Sequence, residues 1–200
     1  MSVSNPASDS TSPDPAPRKV RLATMWLDGC SGCHMSMLDM DERLIELASK
    51  VEFVCSPYVD MKELPSDIDV ALVEGAVSSE EDLHKIRQLR RSTKFLISLG
   101  DCAVTGNVPA MRNGFPIDAV MARAYRETAS EPLPVVEGEP SYPSRYVPAL
   151  RRRVSPVHEV VPVDLYVPGC PPPADAIHFV LTELLAGRTP DVSRLTRFGC

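Results

Sequence analysis

In VRLATMWLDGCSGCHMSMLD, residues 20–39, an apolar run stops at Asp28-Gly29 and leads directly into a Cys30-Ser-Gly-Cys33 motif. From Cys33 to Ser49, apolar residues then recur at Met37, Leu38, Leu44, Ile45 and Ala48, close to helical spacing. The segment reads as a buried strand, a turn and a helix, with two thiols where the strand passes into the helix.

The same alternation repeats outward from this unit. VEFVCS at 51–56, IDVALVEGAV from Ile68, KFLISLG from Lys94 and VDLYVPG from Val163 read as strands. A polar-faced helix spans Ser79 to Arg91, opened by Ser78 or Ser79 with acidic residues in its first turn. Another runs from Ala174 to Ala186 and stops at Gly187. Strands alternating with helices predict an α/β fold: a flavodoxin-like, open, mostly parallel sheet with helices on both faces, in a single domain. The strand runs are largely apolar, as buried parallel strands are.

Around this domain, taken as residues 18–188, lie two flanking pieces. Residues 1–17, rich in Ser, Pro and Asp, read as a disordered leader, and 189–200 as a C-terminal tail. Within the domain, 106–162 is punctuated by Pro and Gly, and only Ile117 to Thr128 looks helical. A long irregular stretch of this kind is a candidate docking element.

Composition excludes several classes. The net charge of −6 offers no footprint for nucleic acid or an anionic membrane. No run approaches the roughly 20 apolar residues of a spanning helix, and the first residues lack a secretory apolar core. The expected compartment is the cytoplasm, where six cysteines serve metal or redox chemistry more readily than disulfides.

Four of the six fall at the carboxyl ends of predicted strands: Cys30 and Cys33 after the first, Cys102 after LISLG, Cys170 after LYVPG. In a parallel sheet those ends share one edge, where open α/β folds place ligands, so thiols distant in sequence can converge. Gly29, Gly32, Gly100 and Gly169 accompany them and allow backbone N–H groups to approach sulfur. Pro168, Pro171 and Pro172 stiffen the last loop. Four soft ligands suit an iron-sulfur cluster, and three plainer readings compete. A structural zinc site usually takes two short Cys pairs, and here there is one. A thioredoxin-like dithiol needs only Cys30 and Cys33. An inert thiol is the ordinary fate of a free cysteine, and is assigned to Cys55; Cys200 is read as incidental.

The segments WLDGCSGCHMSMLD, ALVEGAV, LGDCAVTGNVPAMRN and PGCPPPADAIHFVLTELLAGR resemble the small subunits of nickel-iron hydrogenases, most of all the short form of cytoplasmic NAD-reducing enzymes. The resemblance covers nearly all of 20–188. It implies one 4Fe-4S cluster on Cys30, Cys33, Cys102 and Cys170, a nickel-iron site in a separate large subunit, and electron transfer to a diaphorase module carrying flavin and further clusters that reduces NAD. The chain is then a subunit of an oxidoreductase acting on hydrogen, with no catalytic residue of its own. The related quinone-reductase subunit of complex I is the alternative, but its first motif has adjacent cysteines where this chain separates them by two residues. Glu74 and Gly75 match a family segment that passes the cluster, and His34 stands beside Cys33; their plainer roles are a solvated loop carboxylate and a helix-start residue. A flavodoxin-like FMN-binding module is the rival from another class, disfavoured because the turn after the first strand is given to thiols in place of phosphate-binding Ser, Thr and Gly.

Overall fold

The computed structural model describes residues 18–61, 63–131 and 142–199; the leader assigned to 1–17 and Cys200 lie outside them. In chain order the elements are β1 (Val20–Trp26), α1 (Gly32–Leu38), α2 (Arg43–Lys50), β2 (Val51–Cys55), β3 (Ile68–Glu74), β4 (Val77–Ser79), α3 (Glu80–Ser92), β5 (Thr93–Leu99), α4 (Asp101–Thr105), α5 (Asn107–Ala110), α6 (Ile117–Ala122), β6 (Leu150–Ser155), β7 (Leu165–Val167) and α7 (Ala174–Leu185).

Five strands form one parallel sheet in the order β2-β1-β3-β5-β7, the flavodoxin-like order. Successive residues of a strand face opposite sides, and this divides the core. Leu22, Leu72 and Ile97 pack with Met37, Leu47, Ile177 and Val180 of α1, α2 and α7. Ala23, Ala71, Val73 and Leu96 pack on the other side with Ile86 and Leu89 of α3. Both faces are covered, which is why the strands are largely apolar.

Three predicted elements are reshaped. The helix expected over 33–49 is two, because the chain turns at 39–42, where Asp41 adopts φ +49 and Met40 is driven into the core at 1% exposure. The last strand begins at Leu165 instead of Val163, because the carboxylate of Asp164 itself accepts the Leu96 N–H at 2.7 Å and pairs with Arg90 at 2.6 Å. The helix from Ile117 keeps its α form to Ala122 and continues as a π turn over Arg123–Glu127.

The stretch 106–162 contains more structure than its composition suggested. β6 pairs antiparallel with β4 in a separate ribbon. Its backbone is held by side chains: Asn113 donates to Val154 O at 2.9 Å and accepts from Val154 N at 2.8 Å, and Arg112 donates to Arg151 O and Ser78 O, each at 3.0 Å. Among the described residues no helix is long and apolar enough to cross a membrane.

Candidate metal-cluster site

The loops after β1, β5 and β7 meet at the carboxyl edge of the sheet and bring the four predicted cysteines to one place. Cys33 is buried in α1, Cys102 is half-buried in α4, and Cys30 and Cys170 are exposed. The convergence is felt at two of them. Burial first, then the Glu74 carboxylate, then the other three thiols all push the Cys33 thiol well above its ordinary range. Cys102 is raised by burial and by Cys170 and Cys30, against hydrogen bonds from Asn107 and the Val108 N–H. Two thiols that burial and their neighbours hold in the protonated form mark a place that favours a positively charged guest, since a bound metal reverses that cost and releases the protons.

The chain leaves room for these sulfurs. A Cβ on Gly100 would stand 2.2 Å from the Cys33 sulfur, and the residue's φ of +81 is one that side chains avoid, so only glycine passes here. Among the described residues no three Cys, His, Asp or Glu side chains are arranged to hold one metal ion.

Glu74 is no solvated carboxylate: it is 3% exposed, at the end of β3. Its Oε2 accepts the His34 backbone N–H at 2.8 Å and lies 2.5 Å from His34 Nδ1. The residue preceding α1, Ser31, adopts φ +65 and makes no side-chain cap, so Glu74 takes the N–H that a local cap would otherwise satisfy. His34, 1% exposed, is likewise more than a helix-start residue. Its ring stands edge-on to Trp26 at 5.3 Å and to Tyr58 at 5.5 Å, and its Nε2 is buried without a hydrogen-bond partner among the described residues. Gly75, at φ +92, lets the β1 and β3 loops touch: a Cβ there would meet Leu27 C at 2.7 Å. The loops are stitched across it by Leu27 N–Glu74 O and Ala76 N–Asp28 O, 2.8 and 2.7 Å.

Asn107 is the site residue that the motif reading missed. Its Nδ2 donates to the Cys170 sulfur at 3.5 Å, and its side chain also acts to lower the Cys102 thiol. Its φ of +34 is rare outside glycine, and the pairing of Gly106 with an Asn is the only trace in the sequence. Ser36 joins α1 to the last cysteine loop by donating to Pro172 O at 2.5 Å. Cys55 stands apart, at the end of β2, its thiol raised by burial alone.

A family model described as NADH ubiquinone oxidoreductase, 20 Kd subunit, matches residues 30–184. The delta subunit of the NAD-reducing hydrogenase HoxS of Cupriavidus necator is 42% identical over 181 residues, covering 90% of this chain and 86% of that protein. A component of an F420-non-reducing hydrogenase of Methanothermobacter marburgensis is 41% identical over 84% of this chain, which spans only 54% of that longer relative. Among solved structures, a chain of an NAD+-reducing [NiFe]-hydrogenase in the H2-reduced state superimposes with a TM-score of 0.83 at 38% identity, over 90% of this chain and 99% of that one.

Proposed function

The chain belongs to the NADH ubiquinone oxidoreductase 20 Kd subunit family, among the small subunits of nickel-iron hydrogenases, and on that premise we propose that its thiol edge holds one 4Fe-4S cluster on Cys30, Cys33, Cys102 and Cys170. The observation that carries this reading is the meeting of thiols from three strand ends around a buried Cys33, close enough that their charges push the Cys33 and Cys102 thiols up. Once bound, such a cluster supplies a one-electron store at a potential set by its surroundings.

This chain's residues do the rest. Cys33, buried beneath Gly100, anchors the inner corner, while Cys30 and Cys170 close the exposed side. The N–H groups of Asn107 and Val108 point at sulfur and favour added negative charge there. Glu74 holds the start of α1, and the rings of Trp26 and Tyr58 cover His34 and exclude water from that flank. Trp26, Met35 and Leu38 are 41%, 57% and 38% exposed on the elements flanking Cys30 and Cys33. Apolar surface beside a redox edge fits an obligate interface, and we assign it to a nickel-iron large subunit. Electrons from hydrogen would pass from there through this chain to a diaphorase that reduces NAD in the cytoplasm.

Anaerobic purification with co-purifying subunits, followed by metal and sulfide analysis of each chain, tests the assignment. About four irons and four sulfides on this chain, with nickel confined to a larger one, is the expected result. Stoichiometric zinc without iron overturns it.

A further inference from the structure

Asp101 immediately precedes Cys102, is 5% exposed, and has no part in the ligand set. Its backbone N–H donates to Gly169 O at 2.8 Å, and the Gly169 N–H returns to its Oδ1 at 2.7 Å. The two loops that carry Cys102 and Cys170 are thus locked in a reciprocal pair, one residue before each thiol. The second carboxylate oxygen, Oδ2, accepts the N–H of Gly199 at 2.7 Å, 98 residues away. Nearby, the Thr196 hydroxyl donates to Pro168 O, and Thr196 N returns to Val192 O at 3.2 Å, so the segment 192–199 is laid against the last cysteine loop.

We infer that Asp101 is a positioning residue whose carboxylate braces the Cys102 and Cys170 loops against each other and docks the C-terminal segment over them. The inference rests on the cluster reading. A single acceptor-only group satisfies two N–H donors from different segments, one buried and one part-buried, and no neutral side chain of the same size does this with both oxygens. The brace also sets a negative group one residue from a ligand, which favours the oxidised form of a bound cluster and lowers its potential.

The test uses the assembled complex carrying Asp101→Asn or Asp101→Ala, with Thr196→Val as a probe of the docked segment. Iron per chain, the midpoint potential from an EPR-monitored titration, and hydrogen exchange over 192–199 are read for each. Asp101→Asn is isosteric and keeps one acceptor oxygen. It should retain most of the iron, shift the potential upward, and speed exchange over 192–199 at least tenfold. Asp101→Ala should lose more than half of the iron, and Thr196→Val should speed exchange while leaving the potential unchanged. Wild-type iron content and potential in both Asp101 variants overturn the brace. If the unmodified chain carries no iron, it is the cluster reading that fails, and exchange in the Asn variant still decides whether Asp101 docks the segment.

Discussion

Two helix starts on either side of β3 solve the same problem with different means. α3 is capped locally: Ser79 accepts from Asp82 N, Asp82 reaches back to Ser79 N, and acidic residues fill the first turn. α1 has no local cap, and its buried His34 N–H is taken by Glu74 from 40 residues away. The first arrangement needs no partner beyond its own turn. The second places a buried carboxylate beside Cys33 and makes the placement of a thiol depend on the folded sheet.

The largest effect expected from breaking this contrast lies at α1 itself. Cys33→Ser should reduce iron and sulfide several-fold in the purified complex, because the buried corner of the site loses its thiolate. Cys55→Ser, at the end of β2, should leave both unchanged. Full iron in the Cys33 variant would remove α1 from the site and end the comparison.

Next comes the remote cap. Glu74→Ala strands the His34 N–H and ring nitrogen in a buried setting, at a cost of about 3 kcal/mol of unfolding free energy in denaturant titrations. Glu74→Gln keeps an oxygen for the N–H and should cost well under half of that. Removing the local cap is milder: Ser79→Ala should cost about 1 kcal/mol and leave the iron content untouched. Equal losses at Glu74 and Ser79 would mean that the remote cap is no more than an ordinary one.

The same contrast marks what could be read from the chain. β1, β3 and β5 are apolar because both of their faces are covered, and α3 declares its start in Ser79 and its acidic turn, so these were legible. The four cysteines were legible because strand ends share an edge. β6 was hidden because Asn113 and Arg112 side chains, and not an apolar pattern, hold its backbone. Asn107, the Asp101 brace and the Glu74–His34 pair were hidden for a related reason. Each is a polar bond closing over 40 or more residues, and only the finished fold brings its two ends together.

The smallest effect is also the most direct reading of the Glu74 charge. Burial first, and the Glu74 carboxylate second, push the Tyr58 phenol up to about 12, against about 10 for a free tyrosine. A phenol held above its unfolded value favours the folded state with its proton on. That preference is complete below about pH 10 and is lost as the pH rises through 12. Subtracting the ultraviolet titration of Tyr58→Phe from that of the parent isolates this phenol among the five tyrosines. In a Glu74→Gln background its midpoint should fall, yet stay above that of a free tyrosine, because burial is the larger cause and remains. An unmoved midpoint would mean that the carboxylate is not felt at Tyr58, and the remote cap would then act on α1 through its hydrogen bonds alone.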